Sequence, residues 1–121
     1  MRTALVVDDS KTDRHIVSSY LTEKGVAVTM ASSGEEAVSS IGDQAFDLIV
    51  LDVVLPDRSG FDLCRYIREE SSLSEVPVIM CSTKGTDMDK FWGMKQGASA
   101  YLEKPVDQEE FAEALGKLLG V

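Results

Sequence analysis

The stretch "FDLIVLDVVLP" (residues 46–56) decides the fold. Leu48, Ile49, Val50, Leu51, Val53, Val54 and Leu55 form an apolar run of the kind that fills a strand buried on both faces of a parallel sheet. Asp52 interrupts that run, and a carboxylate in such a place is costly unless a partner or a cation neutralises it.

Strand and helix patterns alternate on either side of this stretch. "TALVV" (3–7) reads as a buried strand and "SKTDRHIVSSYLTEKG" (10–25) as a helix. Ser10 caps that helix, Ile16, Val17, Tyr20 and Leu21 form its apolar stripe, and Gly25 stops it. "VAVTMA" (26–31) is a second strand. "SSGEEAVSSI" (32–41) is a second helix, with Ser33 and Glu36 spaced as in a capping box. After the strand at 47–52, "SGFDLCRYIREE" (59–70) gives a helix with its stripe on Phe61, Leu63, Cys64 and Ile67. "VIMCS" (78–82), "TDMDKFWGMKQG" (86–97), "SAYLE" (99–103) and "DQEEFAEALGKLLG" (107–120) then read as strand, helix, strand and helix. The last helix carries Phe111, Ala114, Leu115 and Leu118 on one face. Five strands alternating with five helices predict one α/β domain over 1–121, a parallel sheet covered on both faces.

Composition excludes several function classes. The formal net charge of −9 argues against duplex DNA or an anionic membrane as a direct partner. No apolar run approaches the length of a membrane span, and Met1-Arg2-Thr3 leads straight into a strand, so no signal peptide is expected and a cytoplasmic location is. The two cysteines, Cys64 and Cys81, read as reduced, buried thiols. His15, the only histidine, reads as a solvated helix residue.

In parallel α/β sheets, sites form at the carboxyl ends of the strands. Asp8-Asp9 follow the first strand, Asp52 ends the third, Ser82-Thr83 end the fourth, and the fifth runs into Lys104-Pro105. Three carboxylates brought together raise one another's pKa unless a cation sits among them. Oxygen ligands without His or Cys suit a hard ion such as Mg²⁺. An acidic cluster, a lysine and a hydroxyl are equipped to receive a phosphoryl group on a carboxylate, and Asp52 is the expected nucleophile. Phe91 and Trp92 are neighbours on the fourth helix and cannot both point inward, so one is expected at the surface as a docking anchor.

Four motifs, "VVDDS" (6–10), "LIVLDVVLPDRSGF" (48–61), "VIMCST" (78–83) and "GASAYLEKP" (97–105), stand in order at the strand ends. With them the whole chain resembles a receiver domain of bacterial two-component signalling, the family of the chemotaxis regulator CheY. The resemblance implies the strand order 2-1-3-4-5 and phosphorylation at Asp52. It implies Mg²⁺ held by Asp8, Asp9, Asp52 and the backbone carbonyl of Val54, with Asp9 a direct ligand. It gives Ser82 and Lys104 as the groups that reach the phosphoryl oxygens, and a cis Lys104-Pro105 bond. Ser82 and Tyr101 become the switch pair, with Ser82 vacating space that Tyr101 can enter. The implied partners are a CheA-like histidine kinase or phosphotransfer domain, and a protein target meeting helix four, strand five and helix five, with Trp92 and Tyr101 in that surface. A monomer or transient dimer, no nucleic acid and no membrane are expected. The segment 89–105 is similar to stand-alone regulators of the PilH twitching-motility type and their phototaxis relatives. With the chain ending after the fifth helix, the receiver surface itself is the expected output.

Departures from CheY lie two residues past Asp52, where Val54 replaces a polar side chain, and two past Ser82, at Lys84. Rival readings are a phosphate sink without regulated output; a pseudo-receiver, whose mark would be loss of an acid or the lysine; a flavodoxin-like FMN carrier, which would need a Gly- and hydroxyl-rich phosphate cradle after the first strand; and an aspartyl-phosphate phosphatase, which would want a second acid where Val54 stands. The expected chemistry is confined to the protein's own phosphorylation and dephosphorylation, without turnover of an external substrate.

Overall fold

Strands β1 (Thr3–Val7), β2 (Ala27–Ala31), β3 (Leu48–Leu51), β4 (Val78–Ser82) and β5 (Ala100–Glu103) form one parallel sheet in the order β2-β1-β3-β4-β5 in the computed structural model, which describes residues 1–70 and 72–121. Helices α1 (Lys11–Glu23), α2 (Gly34–Asp43), α3 (Gly60–Glu69), α4 (Asp87–Lys95) and α5 (Gln108–Leu119) alternate with them. The strand order is the one the receiver resemblance implied.

Alternation along the strands divides the core into two layers. Leu5, Val7, Ile49, Leu51, Val78 and Met80 pack with Leu63, Cys64 and Ile67 of α3 on one face. Ala4, Val6, Leu48, Val50, Ile79 and Cys81 pack with Val17 and Leu21 of α1 and Phe111 and Leu115 of α5 on the other. Both faces are buried, which is why β3 and β4 read as continuous apolar runs.

Each helix begins on a side-chain cap. Ser10, Ser33, Ser59, Thr86 and Asp107 each accept a hydrogen bond from the backbone N–H three residues on. The reciprocal capping box expected at Ser33 and Glu36 occurs instead at Thr86 and Asp89. Glu36 turns back to Ser32, accepting from its N–H at 3.0 Å and its hydroxyl at 2.7 Å. Gly25 ends α1 at φ +79°, a left-handed conformation that suits glycine. Lys104-Pro105 is cis.

The apolar stripe of α1 is centred one residue later than the sequence suggests. Val17, Ser18 and Leu21 are buried, whereas Ile16 is exposed and Tyr20 lies at the edge with its hydroxyl donating to the Val106 carbonyl. In α4 both Phe91 and Trp92 are exposed, at 59% and 47%, so an aromatic does stand at the surface as expected and its neighbour stands there too. The physical reason is Gly93, the buried residue of that helix. A β-carbon there would lie 2.7 Å from Tyr101 Cδ2 and 3.0 Å from Met80 Sδ, so α4 approaches the sheet too closely for a large side chain to enter.

Gly60, the first residue of α3, donates its N–H to the Val53 carbonyl at 2.7 Å, and a β-carbon on it would overlap the Asp52 carbonyl oxygen. Gly60→Ala should therefore destabilise the protein by about 2–3 kcal/mol. A shift of the chemical-denaturation midpoint at unchanged slope measures it.

Candidate functional site

Sheet hydrogen bonding carries one residue past the ends of several strands, and these are the residues that form the site. Asp8 N–H donates to the Ala31 carbonyl at 3.0 Å, Asp52 N–H to Val7 at 3.0 Å, and Lys104 N–H to Ser82 at 2.9 Å. The backbones under both carboxylates and the lysine are thus held by neighbouring strands before any side chain makes contact.

The Lys104 ammonium sits at the centre. Its Nζ donates to Asp8 Oδ2 at 2.7 Å, Asp13 Oδ2 at 2.9 Å and Asp52 Oδ2 at 2.9 Å. The second oxygen of Asp8 accepts from Ser10 N–H at 2.9 Å, and that of Asp52 from Val54 N–H at 3.1 Å. Burial pushes the Asp8 carboxyl above the usual carboxylate range, and its bonds to Lys104 and Ser10 oppose that only in part. Burial pulls Lys104 down, but its bonds to Asp8, Asp52 and Asp13 outweigh it and leave the ammonium above the ordinary lysine value. The acid that looked stranded in a strand lies just beyond β3, with a cation of the chain's own beside it.

Asp8, Asp9 and Asp52 present carboxylate oxygens within 4.8 Å of one another, with Asp8 and Asp52 buried and Asp9 exposed. One ammonium among Asp8, Asp9, Asp13 and Asp52 leaves the pocket anionic. Three oxygen donors, one facing solvent, fit a hard divalent ion that keeps part of its water.

Ser82 is fully buried, and its hydroxyl accepts from Lys84 N–H at 3.2 Å. The Tyr101 ring lies against Gly93, and its hydroxyl donates to the Lys84 carbonyl, so Tyr101 already reaches the loop between β4 and α4. Burial raises its phenol, with Ser82 pulling the other way. Val54 is half-exposed and borders a shallow groove with Leu55, Arg58, Phe61 and Lys84.

Two participants escape a reading by strand ends. Asp13 stands in the first turn of α1, three residues after the cap Ser10, and only the helix phase turns it toward Lys104. Asp57, in the loop between β3 and α3, accepts from the N–H groups of Gly34 and Glu35 at 2.9 and 2.8 Å, at the start of α2. Those bonds, Gly34's above all, hold its carboxyl below the usual range. Arg14 donates to the Asp8 carbonyl at 2.7 Å. His15 is exposed, and Cys64 and Cys81 are buried free thiols, the latter pushed up to about 12 by burial.

Residues 4–116 match the family model described as the response regulator receiver domain. The chain belongs to that family. This receiver domain is 34% identical to the protein PilH of Pseudomonas aeruginosa over 98% of each chain. It is similar to the chemotaxis protein CheY4 of Vibrio cholerae, with a TM-score of 0.91 at 33% identity over 98% of this chain and 99% of that one. It is similar as well to the receiver domain of a Pseudomonas aeruginosa sensor histidine kinase whose active site cleft coordinates a magnesium ion. That comparison gives a TM-score of 0.89 at 28% identity, covering 99% and 98% of the two chains. The receiver domain of a two-component response regulator is therefore the function at the family level. No helix among the described residues is long and apolar enough to cross a membrane.

If the acid cluster takes Mg²⁺, a concentration ten times the dissociation constant stabilises the fold by about 1.4 kcal/mol. That is a rise of roughly 3–6 °C in melting temperature for a domain of this size. Asp9→Ala removes an exposed donor that Lys104 does not contact, and should abolish most of that rise without lowering the melting temperature in chelator. Thermal melts across a Mg²⁺ series check both.

Proposed function

We propose that this receiver accepts a phosphoryl group on Asp52 from a histidine kinase or phosphotransfer domain and thereby changes its affinity for a protein target. The observation that carries this reading is the contact of Lys104 with Asp52 and Asp8 at the sheet edge, beside an acidic cluster suited to a divalent cation. Asp8, Asp9 and Asp52, with the Val54 carbonyl, are the groups that would hold Mg²⁺, and the ion, when bound, neutralises charge on the phosphoryl oxygens. An Asp52 oxygen attacks phosphorus as the P–N bond of a phosphohistidine breaks. The imidazole nitrogen keeps that electron pair and takes up a proton. Lys104 passes from the Asp52 carboxylate to the oxygens of the acyl phosphate. The Ser82 hydroxyl, which accepts from Lys84 N–H and stands at the end of the strand beside β3, would turn toward the same oxygens. Water attacking phosphorus later returns the free carboxylate and inorganic phosphate, so the chemistry acts on the protein itself.

Differential contact is what lets phosphorylation shift a conformational balance. Ser82 bonds Lys84 N–H, the Lys84 carbonyl receives the Tyr101 hydroxyl, and the Tyr101 ring rests on Gly93. A change at Ser82 thus has a contiguous route to the exposed face of α4, where Met88, Phe91, Trp92 and Met94 lie open. We assign the target surface to α4, β5 and α5, with Trp92 and Tyr101 in it. The likeness to PilH and to a chemotaxis protein supports an output in motility or taxis signalling, and we assign the protein to the cytoplasm.

Incubation with Mg²⁺ and acetyl phosphate, followed by intact-mass measurement, should add one phosphoryl group to wild type and none to Asp52→Asn. Labelling in that variant, or in excess chelator, overturns the assignment. A pseudo-receiver predicts no labelling of wild type.

The lifetime of the phosphorylated state depends on a water in line with the Asp52–phosphorus bond. Val54, half-exposed and two residues past Asp52, would flank that approach in this reading, and its side chain offers no hydrogen bond to orient water. Val54→Asn should speed loss of the phosphoryl group by about tenfold, equivalent to about 1.4 kcal/mol of barrier. Mass measurements over time after removal of the phosphodonor read this directly.

A further inference from the structure

An ammonium has three N–H groups, and in Lys104 all three are taken. Two go to buried carboxylates whose other oxygens are held by backbone donors, Asp8 by Ser10 and Asp52 by Val54. The third goes to Asp13, which differs in kind. It comes from α1 and not from a strand end, and its side chain is 35% exposed where those of Asp8 and Asp52 are 6% and 9%. It lies outside the trio of oxygens that converge as a metal site. Lys104 is the one partner its carboxylate has among the described residues.

We propose that Asp13 restrains phosphoryl uptake by competing for Lys104. This rests on the reading of Asp52 as phosphoacceptor. An incoming phosphoryl group is itself an anion that needs an N–H of Lys104, and no N–H is spare. While the phosphoryl group approaches, Asp52 is still a carboxylate and keeps its N–H of Lys104, releasing it only as the acyl phosphate forms, and Asp8 remains fixed within the acid cluster. The contact that must loosen is the one with Asp13, at the solvent side. Asp13 also places an acidic group at the solvent side of the pocket, which adds repulsion toward an anionic donor. It acts through Lys104 and touches no reacting atom, so it is a positioning residue. The covalent step is unchanged: with acetyl phosphate, the bond from phosphorus to the acetyl oxygen breaks, acetate leaves with the electron pair, and the bond to an Asp52 oxygen forms.

Asp13→Asn and Asp13→Ala test this together, since the first keeps the shape of the first turn of α1 if the second loosens it. Both should take up the phosphoryl group from acetyl phosphate faster than wild type at equal Mg²⁺, by about threefold, the scale of a partly exposed ion pair. A second readout needs neither metal nor phosphodonor. The side-chain ammonium resonance of Lys104 in ¹⁵N-labelled protein should shift and exchange its protons faster in both variants, because one of its three acceptors is weakened or gone. Equal or slower uptake in the variants, with wild type labelled at Asp52, overturns the competition while leaving the phosphoacceptor reading intact. An unmoved ammonium resonance overturns it as well. Wild type that takes no phosphoryl group, or Asp52→Asn that does, overturns the underlying reading and this inference with it.

Discussion

A single ammonium holding three carboxylates is the constraint on which the rest of the structure turns. Asp8 and Asp52 are both buried, and two such anions within a few ångströms of each other are tolerable only because Lys104 reaches both. Breaking one partner out of a buried pair of this kind costs about 3–5 kcal/mol, because the charge left behind has no solvent to turn to. Placement of the lysine therefore cannot be left to its flexible stem. The ladder bond from Lys104 N–H to Ser82, and those from Asp52 to Val7 and Asp8 to Ala31, set the three backbones before the side chains meet. The sheet is the scaffold of the charge cluster in a literal sense.

The same cluster explains why the site stays receptive. One lysine does not balance four acids, so the pocket retains negative charge and open oxygen donors on the Asp9 side. A pocket neutralised fully by its own side chains would have no use for a divalent ion. The burial that raises Asp8 is a stability cost carried by the folded protein, consistent with sites giving up stability for chemistry.

How far the sequence discloses this depends on which geometry sets each residue. Asp8, Asp52 and Lys104 are legible because they follow apolar strands, and strand ends in a parallel sheet share one edge whatever the side-chain details. Asp13 is not, because its role depends on the rotation of α1 about its axis, and the buried stripe of that helix falls one residue later than its apolar residues suggest. Phe91 and Trp92 mislead for a related reason. Their hydrophobicity argues for burial of one ring, but the closeness of α4 to the sheet is set by Gly93, a residue whose contribution is the space it leaves. Asp57 is legible as a turn residue only, since its partners lie more than twenty positions away at the start of α2.

The Asp57 contact also means that the two flanks of the site are anchored differently. On one flank, the loop that follows Asp52 is bolted through two backbone N–H groups to α2. On the other, the segment after Ser82 is tethered by contacts of Ser82 and Tyr101, the residues of the proposed switch. The two flanks thus differ in what holds them: backbone donors of a helix on the α2 side, and the side chains of Ser82 and Tyr101 on the α4 side. Under the proposed function, the α4 flank is therefore the side whose tethers the chemistry itself could release, while the α2 tether lies outside its reach.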